Sequence, residues 1–373
     1  RHALPTACSC RVFRVCRNKT IDQFFILGKE KMSRDKVILS VLKQLPKFVL
    51  RRLAGPAVVI DGNTLDANIQ ILAKIAGPPK AESDIGQMRH NIKTSFAALD
   101  GKRRANINVR DAHIPGPAGD MLARIYEPKN IGDNAPAILF FHQGGMVVMD
   151  LDTDDAFCTV LADECGAKVI SLDYRLCPEH KFPAPIDDAM GLWDYVQNNA
   201  AALGVDATRV AVAGDSAGGL ISAVMCQQLR DAGGARPAAQ LLAYPWVSTT
   251  LQATGSSVSC AECFPLNTAT MDFFNSQVFP NGEGLDSPLA NPLNNENLAD
   301  LPPAIIGTAG FDPIRDQGNA FADQLKAAGN QVTHYCFKTL SHSYLAFGNV
   351  TKEAERASCQ MARDLAKILQ ADG

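Results

Sequence analysis

The sequence has no long apolar stretch, no strong excess of either charge and no regular spacing of cysteines. Polar or turn residues interrupt every apolar run within about eight positions, well short of the roughly 18 apolar residues that a membrane-spanning helix requires. The 36 basic and 39 acidic residues leave a net charge of only −3, which gives no indication of a nucleic-acid or polyanion partner. The sequence therefore predicts a protein with neither a membrane span nor a nucleic-acid partner.

The 11 cysteines are odd in number and scattered through predicted helices and strands, unlike the framework of a disulfide-stapled protein. The N-terminal region also lacks the apolar core and the cleavage site of a secretory signal. Both observations favour reduced thiols and a cytoplasmic location. Cys260 and Cys263 form a C-x-x-C, but no second pair and no suitably spaced His accompany them. We interpret this spacing as chance and predict no metal site.

Three segments differ in character along the chain. Residues 1–31 carry three cysteines and no apolar periodicity, and we interpret them as a non-native or disordered N-terminal extension ahead of Met32. Residues 32–105 have a helical apolar pattern that is broken by glycine and proline. From residue 106 to the C-terminus, predicted strands alternate with predicted helices, which indicates an α/β catalytic domain.

The alternating segment predicts a mostly parallel sheet of eight strands with helices on both faces. The predicted strands are 107–114, 121–126, 137–141, 168–172, 209–213, 240–244, 304–308 and 332–337. The predicted helices between and after them are 154–165, 185–199, 217–231, 317–328 and 352–369. Residues 247–297 do not alternate, and we interpret them as an insertion that forms a helical cap together with the N-terminal helices.

The motif Gly214-Asp215-Ser216-Ala217-Gly218 follows an apolar strand and opens a helix of small residues. This is the strand-turn-helix setting of a nucleophile elbow, in which the glycines leave room for a sharp turn that exposes the serine hydroxyl. The bare pattern also occurs by chance in unrelated chains, so its structural setting is what makes Ser216 a candidate nucleophile.

A serine hydroxyl needs a base within hydrogen-bond reach and a carboxylate to orient that base. In the fold that carries this motif, both follow the serine in the order acid, then His. His342, in a loop after the last strand, is favoured as the base over His334, which lies within that strand. Asp312, in the turn after strand 304–308, is favoured as the acid over Asp316, which sits where an aspartate commonly caps a helix.

The negative oxygen of a tetrahedral intermediate needs a loop of N–H donors. Residues 142–145 (HQGG) directly follow strand 137–141 and supply such a loop, and the N–H of Ala217 is the expected donor after the nucleophile. His142 precedes the serine in the chain, so we interpret it as a structural residue that fixes this loop and not as the base.

Together these residues resemble the hormone-sensitive-lipase family of bacterial carboxylesterases, within the α/β-hydrolase superfamily. The resemblance runs from about residue 45 to the C-terminus and rests on five motifs in order: 142–145 (HQGG), 173–185 (DYRLCPEHKFPAP), 214–219 (GDSAGG), 312–318 (DPIRDQG) and 342–344 (HSY).

The resemblance implies an α/β-hydrolase fold with a cap, a catalytic triad and an oxyanion hole. The implied triad is Ser216, Asp312 and His342, and the implied oxyanion donors are Gly144, Gly145 and Ala217. A homodimer is also compatible with the family.

Two positions in these motifs need comment. The family usually has Gly where this chain has Gln143, so the oxyanion loop must accommodate a side chain. Arg175 and Glu179 are expected to pair within their own block as scaffold residues.

These observations predict a serine carboxylesterase that cleaves small to medium acyl esters through an acyl-enzyme on Ser216 and needs no cofactor or metal. An amidase or lactonase with the same triad and a non-catalytic ligand receptor on the same fold remain alternatives. A set of apolar residues in the insertion is open to two interpretations, the lining of an acyl pocket or ordinary core: Phe264, Met271, Phe273, Phe274 and Phe279.

Overall fold

The structure of the protein is a computed structural model that describes residues 29–77, 84–250 and 252–370. The expected N-terminal extension, residues 1–31, lies outside this range except for its last three residues, which belong to the first helix.

Four helices and a small hairpin precede the main sheet. The helices are α1 Lys29–Gln44, α2 Lys47–Ala54, α3 Ala67–Ala76 and α4 Ile85–Leu99. The hairpin pairs β1 Val59–Ile60 with β2 Asn63–Thr64 in a stretch that was expected to connect helices. Its turn is formed by Asp61 and Gly62, which both have positive φ. Asp-Gly between β-formers is a strong signal for this kind of two-residue turn, and the sequence interpretation overlooked it.

All eight predicted strands are present in one sheet, so the predicted fold class is confirmed. The strands are β3 Ile107–Gly116, β4 Gly119–Pro128, β5 Ala135–Phe141, β6 Lys168–Leu172, β7 Val205–Asp215, β8 Gln240–Ala243, β9 Ala304–Phe311 and β10 Val332–Ser341. Their order is β10-β9-β8-β7-β5-β6-β4-β3. Within this sheet β4 pairs antiparallel with both of its neighbours, β3 and β6, and the remaining pairs are parallel.

Six strands run further than expected, and the extensions of β9 and β10 bear on the site. Residues 309–311 continue β9 instead of forming a turn, and β10 continues to Ser341. The register of β10 against β9 shifts between Phe337 and Ser341. Pairing resumes after this irregularity, with Ser341 opposite Phe311. Both strands therefore end at the same level, immediately before Asp312 and His342.

Helices cover both faces of the sheet, as predicted. They are α5 Asp155–Cys165, α6 Ala184–Leu203, α7 Ala217–Ala232, α10 Arg315–Ala327 and α11 Lys352–Gln370. Alternate residues of β5 face opposite sides: Ile138 and Phe140 pack with α5 and α11, whereas Leu139 and Phe141 pack with α6, α7 and α10. Because both faces are covered, the side chains of β5 are all buried.

A long connection between β8 and β9 carries α8 Ser256–Ser259, α9 Thr268–Val278 and two 3₁₀ turns. It contains the expected cap insertion, whose role as a cap stays a prediction. None of the described helices combines the length and apolar character that crossing a lipid bilayer would require.

Candidate active site

Ser216 occupies the sharp turn between β7 and α7. Its φ of 51° and ψ of −113° lie outside the regions that residues with a side chain normally adopt. Three backbone hydrogen bonds hold this conformation. The N–H of Ser216 donates to the carbonyl of Ala243 (2.9 Å), and its own carbonyl accepts from Trp246 (3.0 Å) and Leu220 (3.1 Å). A strained residue persists when its surroundings fix it in this way, and such strain clusters at functional sites.

The turn is possible because Gly218 packs directly against the end of β5. A Cβ atom at this position would lie 1.8 Å from the carbonyl oxygen of Phe141. The glycine predicted to leave room for the elbow thus has a specific neighbour, the backbone from which the oxyanion loop departs.

The structure brings Ser216, His342 and Asp312 into one hydrogen-bonded chain. Nε2 of His342 lies 3.0 Å from Oγ of Ser216, and its Nδ1 lies 2.8 Å from Oδ2 of Asp312. The other carboxylate oxygen of Asp312 accepts the N–H of Ile314 at 2.9 Å. Since a carboxylate accepts, Nδ1 carries the proton and Nε2 is left to accept from the serine hydroxyl. All three side chains are buried at the carboxyl ends of parallel strands.

The two rival residues lie elsewhere. Asp316, in the first turn of α10, accepts from Nε of Arg315 (2.8 Å) and from the backbone N–H of Ser256 (2.7 Å). His334 lies within β10, and its Nε2 is 3.1 Å from Oδ1 of Asn319. Neither side chain hydrogen-bonds Ser216, so the geometry favours Asp312 and His342.

The loop after β5 carries the expected oxyanion donors. Gly144 and Gly145 both have positive φ, and a Cβ on Gly145 would lie 2.4 Å from the ring of Phe274 in α9. Within the described part of the chain, the N–H groups of Gly144, Gly145 and Ala217 donate no hydrogen bond. They are therefore free to bind a substrate oxygen.

Gln143, the departure from the family pattern, has a buried side chain with partners on two other loops. Its Oε1 accepts a hydrogen bond from Oγ of Ser343, beside His342. Its Nε2 lies 3.2 and 3.3 Å from the two carboxylate oxygens of Asp154, at the start of α5. The loop thus accommodates the side chain through hydrogen bonds.

Asp154 faces a second buried carboxyl group, that of Asp215, next to the nucleophile. Burial raises the pKa of Asp215 to about 7 and that of Asp154 well above its ordinary value. The hydroxyl of Tyr244 donates to Oδ2 of Asp215 at 2.7 Å. Sequence reasoning missed the meeting of Asp215 with Asp154 and Tyr244, because nothing local in the sequence indicates that these residues are neighbours.

His142 fits the structural role expected of it. Its ring stacks on Tyr174, with centroids 4.2 Å apart, and its Nδ1 lies 2.6 Å from the carbonyl of Gln143. Burial lowers the pKa of His142 to about 4, so the ring is neutral near pH 7 and fixes the loop without adding charge.

The expected pairing of Arg175 with Glu179 is wrong. Arg175 binds Asp188 in α6 instead, with Nη2 2.7 Å from Oδ1. Glu179 forms a two-point ion pair with Arg89 of α4, each contact being 2.8 Å. Arg89 also donates to the carbonyls of Val147 and Cys177. The motif therefore anchors an N-terminal helix over the oxyanion loop, a long-range contact that the motif alone could not indicate.

The C-x-x-C pair lies close to the candidate acid but has no further ligands. Cys260 is buried, with Sγ 3.8 Å from the carbonyl of Gly310. Among the residues that the structure describes, no cluster of three or more His, Cys, Asp or Glu could hold a metal ion.

The apolar residues of the insertion belong mainly to the core. Met271, Phe274 and Phe279 are buried in the core cluster between the sheet and the insertion, whereas Phe273 and Phe264 are partly buried. Phe274 is the member that contacts the oxyanion loop, which makes it the best placed of the set to border a substrate.

A family model described as an α/β hydrolase fold matches residues 138–346, from β5 to just beyond His342. The chain belongs to this α/β-hydrolase family. The matched segment contains the elbow, the oxyanion loop and both candidate triad partners, and the relatives below are ester hydrolases. The resemblance predicted from the five motifs is therefore confirmed.

Two relatives and one solved structure show how far the similarity extends. The chain is 38% identical over 320 residues to the carboxylic ester hydrolase LipN of Mycobacterium tuberculosis, covering 82% of this chain and 84% of the relative. It is 40% identical over 315 residues to the carboxylesterase NlhH of the same organism, covering 79% and 98%. An esterase of Pyrobaculum calidifontis has a TM-score of 0.75 at 35% identity, covering 80% of this chain and 97% of that one.

Proposed function

We propose that this α/β hydrolase is a serine carboxylesterase that cleaves small to medium acyl esters through an acyl-enzyme on Ser216. The observation that carries the proposal is the hydrogen-bonded chain from Asp312 through His342 to Ser216. The esterase names of its relatives support the same reaction class.

In the proposed mechanism, Oγ of Ser216 attacks the ester carbonyl while Nε2 of His342 takes its proton. Asp312 holds the imidazole in the required tautomer and stabilises the imidazolium that forms. The same imidazolium then protonates the departing alcohol. Water, activated in turn by His342, hydrolyses the acyl-enzyme and regenerates the serine.

The negative oxygen of each tetrahedral intermediate would be bound by the N–H groups of Gly144, Gly145 and Ala217. One preorganised donor of this kind contributes about 2.7 to 4 kcal/mol. Support comes from the freedom of these three N–H groups from other hydrogen bonds in the described chain.

We also propose that residues 32–105 and the insertion at 247–297 form a cap over the site, attached to a catalytic domain that begins near residue 106. The ion pair between Arg89 and Glu179 and the contact of Phe274 with Gly145 support this arrangement. Ser216 is only 6% exposed, so substrate must pass the cap, which favours small or medium acyl groups over long chains.

The test compares wild type with Ser216→Ala on p-nitrophenyl esters of increasing acyl length, together with labelling by a phosphonate probe. We expect wild type to prefer short acyl groups and to be labelled at Ser216, and the variant to lose both properties. Rates that rise from butyrate to palmitate would contradict the proposed chain length.

The same panel includes an anilide and a lactone, and their faster turnover would favour an amidase or lactonase. No labelling and no turnover of any substrate would favour a non-catalytic receptor.

We further propose a cytoplasmic homodimer. The exposed apolar side chains on α1 and α2 support an interface there, Phe48 being 76% exposed. Light scattering on wild type and Phe48→Ser tests this proposal. A wild-type monomer would exclude it.

A further inference from the structure

Three loops around the candidate site are joined by one buried set of hydrogen bonds that takes no part in the triad. Gln143 connects the oxyanion loop to Ser343, beside His342, and to Asp154, at the start of α5. The carboxyl group of Asp154 also interacts with that of Asp215, the neighbour of the nucleophile. We call the five residues Gln143, Ser343, Asp154, Asp215 and Tyr244 the loop-bridging network.

The two carboxyl groups of the network lie together without a positive partner. Asp154 and Asp215 are fully buried, and no described Lys or Arg forms an ion pair with either. Oδ1 of Asp215 makes no hydrogen bond of normal geometry in the described chain, although the backbone N–H groups of Gln143 and of Asp215 itself lie near its carboxyl group. Two carboxylates can hydrogen-bond only if one of them carries a proton, and two like charges cannot both remain ionised at such a buried site. The pair therefore shares one proton.

The remaining contacts favour Asp154 as the carboxyl group that holds the proton. Tyr244 donates to Oδ2 of Asp215 at 2.7 Å, which favours a negative charge on Asp215. Asp154 receives only the neutral amide of Gln143. Protonated Asp154 can then donate to Oδ1 of Asp215, which satisfies the buried atom.

We propose that Gln143 is a positioning residue for the oxyanion loop, held on one side by Ser343 and on the other by the proton-sharing pair Asp154 and Asp215. Through this bridge, the loop that binds the oxyanion is kept in register with the elbow that presents Ser216 and with the loop that presents His342.

Tyr244 ties the same network to the base. Its hydroxyl accepts the N–H of Leu345 at 3.3 Å, and its ring lies against the imidazole of His342, with centroids 4.7 Å apart. Each of the three loops therefore has a direct contact with a member of the network. A shift of Gln143 would move the N–H groups of its neighbours Gly144 and Gly145 relative to Ser216.

The inference rests on the proposed esterase function, and its test begins with Gln143→Met, which keeps the shape of the side chain and removes its hydrogen bonds. Titration with a phosphonate counts working sites, so kcat is expressed per active site and loss of folded protein is not mistaken for loss of rate. Removing one oxyanion donor lowers kcat by about 10²–10³. Because the donors are displaced here and not removed, we expect kcat to fall about 10- to 100-fold, with KM within about twofold.

The matched control is Gln240→Met. Gln240 is also buried and donates to the carbonyl of Pro302 at 3.2 Å, but it lies at the first residue of β8, whereas Ser216 lies beyond the other end of this strand. We expect its kcat per site to equal that of wild type, whatever its stability.

Asp154→Ala and Asp154→Asn test the shared proton. Asn reproduces a protonated Asp154, because its Nδ2 can donate to Asp215 and its Oδ1 can accept from Gln143. We expect Ala to lower kcat as Gln143→Met does, and Asn to restore it to within about threefold of wild type.

Each outcome bears on a separate claim. Inactive wild type would overturn the esterase function itself. Active wild type with Gln143→Met within threefold in kcat per site would overturn the positioning role alone. Equal losses for Asp154→Ala and Asp154→Asn would overturn the shared proton.

Discussion

Replacing Asp154 with Asn is expected to remove a loss of stability that the wild-type protein undergoes as pH rises from about 4 to about 8. The cause is the buried carboxyl pair, which can hold one proton and one charge but not two charges. Burial raises the pKa of Asp154 in the folded protein well above its ordinary value, whereas an unfolded Asp ionises near 3.8.

The sign follows from this order of pKa values. Below pH 4 the folded and unfolded states both bind the proton, and the full stability is present. As pH rises towards 7, the unfolded chain releases the proton while the folded protein keeps it, so the free energy of unfolding falls. While only the folded protein keeps this proton, the free energy of unfolding falls by about 1.4 kcal/mol for each pH unit.

Asn at position 154 has no proton to release and donates to Asp215 as protonated Asp154 would, so the loss that comes from Asp154 is absent from the variant. The assay is urea unfolding of wild type and Asp154→Asn at pH 5 and pH 8. We expect the stability of the variant relative to wild type to improve by a few kcal/mol between the two pH values.

Other titrating groups, such as Asp173, whose burial raises its pKa to about 6, are present in both proteins and largely cancel in this comparison. Further ionisable groups interact electrostatically with the pair and are likewise present in both proteins: Asp100, Cys158, Tyr174, Tyr244 and Tyr344. Identical pH slopes in wild type and variant would refute a raised pKa at this site.

Three further predictions test the structure around the site. Gly218→Ala should destabilise the protein by about 3 kcal/mol or more despite the better helix propensity of Ala, because the new Cβ meets the carbonyl of Phe141; an unchanged melting temperature would contradict this contact. Phe274→Ala should raise kcat/KM for octanoate relative to butyrate esters, and an unchanged ratio would place Phe274 outside the acyl pocket. Arg89→Ala should lower stability by about 1 kcal/mol more than Glu179→Gln, because only the first change also removes two hydrogen bonds to carbonyls; equal losses would show that the ion pair dominates.

Much of the fold could be predicted because its signals are local. Each buried strand reads as a short apolar run, and each helix follows in the expected place, so all eight strands were located. The candidates Asp312 and His342 could also be named, since chain order and position at strand ends restrict the choice. Six strands were predicted too short, and at the two ends nearest the site, Phe311 and Ser341, pairing between β9 and β10 extends both strands beyond the predicted bounds.

What could not be predicted depends on pairs of residues far apart in the chain. Asp188 and Arg89, the true partners of Arg175 and Glu179, lie outside the motif and were therefore not considered. Asp154 reads locally as a helix-start residue, although its side chain makes no cap hydrogen bond. The sequence contains no signal that it meets a carboxyl group 61 positions later.

The loop-bridging network is better explained by geometry than by stability. Burying two carboxyl groups without a cation is costly, and the hydrogen bonds that compensate are worth little more than the water contacts they replace. Hydrogen bonds differ from apolar packing in being directional, so they fix distances between the groups they join. Here those groups lie on the elbow, the oxyanion loop and the loop of His342, which follow three different strands. A small error between these loops would misalign the oxyanion donors with the attacked carbonyl, and an apolar core of equal volume would not prevent it.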